Sequence, residues 1–300
     1  MFDKLGVVTN CWAKVLERGA RFEGLMARFA EKGFRHQEIR DGGYLRHSEF
    51  GRFIEDIEGA ISHYSDGVWK EICEKDRLGK GLGRLLKGED RHLLDRMIDF
   101  SRVAKGLILS YAFACPWLTR PENMEADNER IRQAIKLSYL FSPERARLRF
   151  VALDPVDEVR PEIAISNLKR YRSLLPDYPM IYALENSHQS ATLTLQLALK
   201  GGVSLTYDEA NIYRPEGIIL NEPEEFWSAV KCADLVSIHL KQKGPEGVFP
   251  RLGEGLVDFQ AMFRRLRAMG YTGDFLFENR PTDDPLEDAL QSRAFILSCE

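Results

Sequence analysis

The sequence predicts an α/β protein that folds as a (β/α)8 TIM barrel with a helical insertion after the second strand. Eight short apolar runs recur along the 300 residues, and stretches with helical spacing of apolar residues separate them. Strands that alternate with helices form parallel sheets, and eight such units close into a barrel. Because barrels of this type often reach about 250 residues as one domain, we expect a single domain over residues 1–300.

The predicted strands are short, apolar and bounded by polar or turn-forming residues. They cover residues 4–10, 35–41, 106–113, 146–153, 180–186, 202–208, 234–240 and 274–280. Helical spacing of apolar residues predicts helices over 16–32, 123–140, 161–175, 190–200, 224–231 and 257–269. In the last of these, Asp258 is expected to be the N-cap and Gly270 to follow the final turn.

The interval between the second and third strands, residues 42–105, is too long for an ordinary βα connection. It contains three charged, helical segments, and the glycine-rich and basic stretch DRLGKGLGRLLKGED lies between the second and the third. No strand precedes this stretch and it lacks the ending of a P-loop, so we interpret it as a surface connection. An insertion here would lie at the rim where barrel active sites open, which leaves a lid or a dimer contact as alternatives.

Composition argues against several classes of partner. The net charge of −4 gives no general affinity for nucleic acid or an anionic membrane. No apolar run approaches the roughly 20 residues of a membrane span, and the first residues lack the pattern of a signal peptide. The five cysteines are scattered without a CxxC motif, which favours a reducing, cytoplasmic location without disulfides.

Four residues of metal-ligand type end four consecutive predicted strands: Glu185, Asp208, His239 and Glu278. They are separated by 23, 31 and 39 residues (208−185, 239−208 and 278−239), about one strand-and-helix unit per step. The carboxyl ends of the strands in such a barrel meet at one rim. Three carboxylates and one imidazole gathered there predict a site for one divalent metal ion.

The same strands carry longer motifs, namely ALENSHQS, LTYDEANIY, VSIHLKQ and RLGEGLVDFQAMFRRLRAMGYTGDFLFEN. Together they resemble the xylose isomerase-like TIM barrels, also called the sugar phosphate isomerase/epimerase family. The resemblance covers nearly the whole chain and is most specific over residues 180–280. It implies that the four residues bind one ion, most readily Mn²⁺, with Mg²⁺, Co²⁺ or Zn²⁺ as alternatives. It also implies a homo-oligomer.

The resemblance further implies a metal-dependent isomerase or epimerase for a sugar, keto-sugar or polyol, a small-molecule substrate. The enzyme would abstract a proton next to a metal-polarised oxygen, with Glu185 and Glu278 as both ligands and acid/base groups. Two alternatives stay open. One is a lyase of the same family that dehydrates inosose-like polyols or cleaves C-glycosides, and the other is a non-catalytic sugar-binding or partner subunit.

Two departures from the family bear on the substrate. Ketose 3-epimerases of the family have a second glutamate six residues after the first metal-binding glutamate, and an arginine six residues after the histidine. The corresponding residues here are Ala191 and Pro245, which makes a strict ketose 3-epimerase doubtful. The DNA-repair relative endonuclease IV has extra histidines on earlier strands. The third and fourth strands here have none, so a trinuclear zinc nuclease is not expected.

Six further residues are candidates for substrate binding. Lys241 shares a strand face with His239, and Glu38 points into the barrel or pairs with Arg40. The other candidates follow predicted strands and are expected at the rim, where the aromatic ones would stack on sugar rings: Trp12, Trp117, His188 and Asn211.

Overall fold

The computed structural model describes residue 2 and residues 4–75, 91–115, 118–119, 124–142, 144–152 and 160–299. The glycine-rich stretch of the insertion and Trp117 lie outside these residues. What was predicted for them from the sequence therefore remains a prediction.

Eight parallel strands form a closed barrel, as predicted. We label them β1 to β8: Leu5–Val8, His36–Arg40, Ile108–Cys115, Arg147–Ala152, Ile181–Glu185, Ser204–Asp208, Leu235–Leu240 and Asp274–Phe277. Each pairs with its neighbours in the chain, and β8 pairs with β1 to close the ring. The predicted bounds differ from these by three residues at most. After β7, the two-residue strands Lys243–Gly244 and Gly247–Val248 form a short antiparallel ribbon.

Helices follow the strands on the outside of the barrel. Their bounds in chain order are Ala13–Glu17, Phe22–Glu31, Met124–Phe141, Pro161–Arg172, Ala191–Gly201, Pro223–Ala229, Phe259–Ala268 and Pro285–Ser298. The continuous helix predicted over 16–32 is wrong, because Gly19 adopts a φ of +88° and separates two helices. Asp258 caps its helix as expected, since its side chain accepts a hydrogen bond from the Ala261 amide at 2.9 Å.

The insertion is helical in its described part, with helices Gly43–Arg46, Glu49–Ser62, Asp66–Lys75 and Arg91–Ala104. Its aromatic side chains pack onto the barrel's own helices. The ring of Phe50 stacks on that of Phe22 at 3.9 Å between centroids, and Phe100 contacts Phe141 at 5.4 Å. The insertion thus extends the core of the barrel.

Within the described ranges, no helix combines the length and apolarity needed to cross a bilayer.

Candidate metal centre at the barrel mouth

The structure brings Glu185, Asp208, His239 and Glu278 together. One ligand atom from each residue lies within 4.8 Å of the others, and all four side chains are buried. Glu185 and Asp208 are the last residues of β5 and β6, His239 is next to last in β7, and Glu278 directly follows β8. The cluster therefore forms where the carboxyl ends of four adjacent strands meet.

Asn186 holds the ends of β5 and β6 together. Its amide nitrogen Nδ2 donates to the Asp208 carbonyl at 2.7 Å, and its Oδ1 accepts from the Asp208 amide at 2.8 Å. The Asp208 side chain in turn accepts from the Ala210 amide at 3.0 Å through Oδ1, which leaves Oδ2 directed into the cluster. These bonds fix the backbone and one side-chain oxygen of Asp208 before any ligand binds.

The two glutamates are arranged alike around His239. Glu185 Oε1 and Glu278 Oε2 each lie 3.2 Å from His239 Nδ1. The second oxygen of each glutamate is held by an arginine. Arg149 Nη1 donates to Glu185 Oε2, and Arg40 Nη1 donates to Glu278 Oε1 at 2.9 Å. Each glutamate thus presents one oxygen to the centre and has the other anchored.

Three cations partly neutralise the buried carboxylates. Lys241 Nζ lies 2.6 Å from Asp208 Oδ2 and 3.0 Å from Glu278 Oε2, while Arg149 and Arg40 bind the other oxygens of the glutamates. With Glu38, which pairs with Arg149, four carboxylates face three cations. One negative charge remains uncompensated when His239 is neutral.

The pKa shifts have the same electrostatic origin. Burial raises the pKa of Asp208 to about 6, while Lys241 opposes the rise and the Glu278 carboxylate adds to it. Burial disfavours the charge on His239, but hydrogen bonding to Glu185 and Glu278 outweighs burial and raises its pKa well above the usual value. The cluster therefore attracts positive charge, which protons or a metal ion can supply in competition.

The residues present suit a divalent ion. Carboxylate oxygens and an imidazole nitrogen are the donors that Mn²⁺, Mg²⁺ and Zn²⁺ take. Asp208 Oδ2 is buried without a hydrogen-bond partner among the described residues, although Lys241 Nζ is close to it. The negative charge that remains in this buried site when His239 is neutral is a feature that a cation would satisfy.

Of the residues predicted to bind substrate, Lys241 and Asn211 border the cluster. Asn211 lies in the turn after β6, where its Nδ2 approaches Glu185 Oε1 at 3.4 Å and donates to the Asn186 carbonyl at 2.8 Å. His188 is half-buried in the loop after β5. Glu38 points into the barrel, which was one of the two alternatives predicted for it. There it pairs with Arg149 and not with Arg40. Arg40 pairs with Glu278 instead.

Trp12 corrects a prediction. Its ring is fully buried, 5.3 Å from the ring of Phe22 and 5.1 Å from that of Phe29. The short 3₁₀ turn Thr9–Trp12 that follows β1 directs the ring into the core, against the helix Phe22–Glu31. Trp12 therefore offers no free face on which a sugar ring could stack.

The sequence interpretation missed Arg149 and did not connect Arg40 or Asn10 with Glu278. Asn10 Nδ2 donates to Glu278 Oε1 at 2.8 Å, alongside Arg40. A signal for Arg149 was present in the sequence. In the run RLRFVA of β4, Arg149 alternates with apolar residues, and alternate residues of a barrel strand face the interior.

No profile of a known protein family matches the sequence. L-ribulose-5-phosphate 3-epimerase UlaE of Shigella boydii is 35% identical over 66 residues. The match spans only 21% of this chain and 23% of the length of that relative.

Solved structures match over nearly the full length. They include a xylose isomerase domain-containing protein of Salmonella typhimurium (TM-score 0.63, 15% identity, covering 98% of this chain and 97% of that chain). The 3-keto-D-glucoside 4-epimerase YcjR of Escherichia coli has a TM-score of 0.59 at 13% identity, with 99% of both chains covered. The IolI protein, solved with a zinc atom, has a TM-score of 0.63 at 12% identity and covers 99% of this chain and 97% of that one. The chain therefore has the fold of the xylose isomerase-like TIM barrels, as its motifs indicated.

Proposed function

We propose that the protein is a divalent-metal-dependent isomerase or epimerase for a small sugar, keto-sugar or polyol. The observation that carries the proposal is the buried cluster of Glu185, Asp208, His239 and Glu278 at the barrel mouth. Active sites of this fold lie at that end of the barrel. The names of similar proteins support the reaction class, since a ribulose phosphate epimerase and a ketoglucoside epimerase are among them.

In this proposal the four residues are the ligands of one ion, with Mn²⁺ preferred and Mg²⁺, Co²⁺ and Zn²⁺ as alternatives. The bound ion would act as a Lewis acid that polarises a substrate oxygen and acidifies the neighbouring C–H. Glu185 and Glu278 remove and return the proton. Asp208 and His239 serve as ligands alone, and Lys241, Asn211 and His188 contact the substrate.

The two glutamates are equally buried, but the arginines that anchor them differ in exposure. The arginine that anchors Glu185 is itself buried, whereas the side chain of Arg40, which anchors Glu278, is 31% exposed. Glu278 therefore lies on the more open side of the cluster. We propose that it exchanges its proton with solvent more readily than Glu185 does.

A metal-dependent lyase is the second candidate, and two positions favour it. Ala191 is the first residue of a helix and is fully buried, with its amide bonded to Asn221 Oδ1 at 2.7 Å. Pro245 is exposed between the two short strands of the ribbon. Neither position offers the glutamate or the arginine of the ketose 3-epimerases. A lyase would use the same proton abstraction, followed by departure of water or of an aglycone.

Hydrogen exchange tests the proposal independently of the substrate's identity. We expect the purified protein with Mn²⁺ to incorporate deuterium from D₂O into one carbon of a sugar in a panel, read by NMR. Glu185→Gln and Glu278→Gln should each slow this exchange by about 10²–10⁴-fold, the usual contribution of a positioned acid or base. A product of unchanged mass indicates isomerisation or epimerisation, and a lighter product indicates the lyase.

Glu209→Gln is the matched control. Glu209 is also a buried carboxylate at the end of β6, but its Oε2 accepts from Trp227 at 3.1 Å and Tyr207 at 3.2 Å, outside the cluster. The Glu209→Gln variant should exchange deuterium into the sugar at a rate close to that of the unaltered protein. Metal-dependent sugar binding without any exchange would contradict catalysis and support a binding subunit.

A further inference from the structure

A pair of oppositely charged, buried side chains lies inside the barrel, next to the cluster of Glu185, Asp208, His239 and Glu278. Glu38 of β2 and Arg149 of β4 are almost fully buried, and their strands are separated by β3. Side chains from strands that are not neighbours can meet only in the barrel interior. Arg149 Nε lies 2.9 and 3.0 Å from the two oxygens of Glu38, and its Nη2 also bonds Glu38 Oε1.

Each member of this pair also reaches one residue of the cluster. Glu38 Oε1 lies 3.4 Å from His239 Nε2, on the side of the imidazole ring opposite to the nitrogen that faces Glu185 and Glu278. Arg149 Nη1 donates to Glu185 Oε2. The pair therefore contacts the ring nitrogen and the carboxylate oxygen that point away from the centre.

Metal-binding histidines almost always donate their second ring N–H to a carboxylate, a carbonyl or water, which fixes the ring orientation. Among the described residues, His239 Nε2 has no partner with full hydrogen-bond geometry, and Glu38 is the carboxylate it approaches. A buried Glu38 without its own counter-ion would be costly, and Arg149 supplies that charge.

We propose that Glu38 and Arg149 are positioning residues of the metal centre. Glu38 orients His239 so that Nδ1 faces the ion, and Arg149 holds Glu38 while it turns Glu185 Oε1 toward the centre. The inference rests on the proposed function in one respect, that an ion binds the cluster. It assigns Glu38 a supporting role instead of substrate contact, since Arg149 already binds both of its oxygens.

The alternative is that the pair serves stability alone. A double variant separates the two roles, because replacing a buried ion pair by apolar residues of similar size is often neutral for stability. Glu38→Leu/Arg149→Met removes both members of the pair but also leaves Glu185 without its arginine, so urea denaturation must first confirm that the variant is folded. We expect its affinity for Mn²⁺, measured from the electron paramagnetic resonance signal of free Mn²⁺, to fall by about 10–100-fold, as is typical when an outer-sphere partner is lost.

Glu38→Gln is the conservative variant. It retains one oxygen for His239 Nε2, so its Mn²⁺ affinity should lie between those of the double variant and the unaltered protein. The visible absorption of bound Co²⁺ should change in the same order, because that spectrum reports the arrangement of the ligands. A role in stability alone would not shift the spectrum.

Arg147→Met/Asp274→Leu is the matched control. Arg147, which is half-buried, and the buried Asp274 also form an ion pair between β4 and β8, but at the opposite ends of these strands. Asp274 lies four residues before Glu278, a distance of about 13 Å along a strand. This variant should bind Mn²⁺ with unchanged affinity.

The results separate the two proposals. If the unaltered protein binds no Mn²⁺, both the proposed function and this inference are wrong. If it binds Mn²⁺ and the Glu38 and Arg149 variants match it in affinity and in Co²⁺ spectrum, this inference alone is overturned.

Discussion

Asp208 shows how the fold can prepare a single side chain for the metal binding proposed above. Its backbone is held by Asn186, one side-chain oxygen by the Ala210 amide, and only Oδ2 faces the cluster. Because the side chain cannot rotate freely, little conformational entropy is lost on binding. Asp208 should therefore contribute strongly to metal affinity.

Asp208→Asn tests this contribution. The variant keeps the shape of the side chain but loses its negative charge, so Mn²⁺ affinity should fall by more than the 10–100-fold typical of an outer-sphere partner. Calorimetric titration with Mn²⁺ measures the loss. Glu209→Gln in the same strand end should retain the original affinity, and equal affinities of the two variants would show that Asp208 is not a ligand.

Single residues also mark where sequence interpretation succeeds and fails. The side chains of the four ligand-type residues converge because each lies at a strand end, and strand ends are visible as the limits of apolar runs. Arg149 was not found, because an arginine in an apolar strand is expected to be at an edge or on the surface. Its place is explained only by Glu38 and Glu185, which lie on other strands.

At the level of single elements, β1 depends on a glycine. A Cβ on Gly6 would lie 2.1 Å from the His36 carbonyl oxygen of β2 and 2.5 Å from a methyl group of Leu276 in β8. Both neighbours are part of the closed barrel and cannot move independently. The absence of a side chain therefore permits the strand spacing at the seam of the barrel.

Gly6→Ala should lower the free energy of unfolding by about 1–3 kcal/mol, the usual cost of overpacking a core. Urea denaturation measures the change. Gly59→Ala is the control, because Gly59 lies in the exposed face of the helix Glu49–Ser62 with no atom within 4 Å of its added Cβ. Gly59→Ala should raise the free energy of unfolding by roughly 0.5–1 kcal/mol. A loss of stability in both variants would argue against the crowding explanation.

The last helix, Pro285–Ser298, was missed in the sequence for a physical reason. Its buried face includes Asp288 and Ser292 beside Ala289 and Ile296, so the face does not read as apolar. Ser292 is held by hydrogen bonds to Leu252 and Asn279. Asp284 as N-cap, followed by proline, was a signal that could have located the start of the helix.

For the whole molecule, buried charge is concentrated at both ends of the barrel. At the end opposite to the candidate metal centre, Asp274 is buried and pairs with Arg147, while its Oδ2 lies 3.4 Å from His36 Nδ1. His36 Nε2 lies 2.8 Å from Ser110 Oγ. This sequence of contacts resembles a hydrolytic triad, but all three side chains are buried at the end of the barrel that serves stability in this fold.

The stability of the protein should depend on pH through Asp274. Burial opposes its ionisation, but hydrogen bonding to His36 and the charge of Arg147 outweigh burial and lower its pKa far below the usual value. Its stabilisation is therefore complete above the unfolded pKa of about 4 and is lost as the pH falls further, toward the folded pKa. Asp274→Asn should cost about 3–5 kcal/mol at pH 7, as for a broken buried ion pair.

Urea unfolding at pH 7, 5 and 3 checks this expectation. The difference in unfolding free energy between the unaltered protein and Asp274→Asn should be equal at pH 7 and 5 and smaller at pH 3. Asp283→Asn, in which an exposed carboxylate is replaced, should show no comparable change. A difference that stays constant down to pH 3 would mean that folding does not lower the pKa of Asp274.

The sequence by itself determined the eight strands, the insertion and the four residues that meet at the mouth, because hydrophobic periodicity and residue type at strand ends are local properties of the chain. Only the tertiary structure decided which charges face one another. Closure of the barrel places Glu38 beside Arg149 and His239. It also places Arg40 beside Glu278. The turn after β1 directs Trp12 into the core. Those pairings depend on strand register and on side chains far apart in the chain, which no local pattern contains.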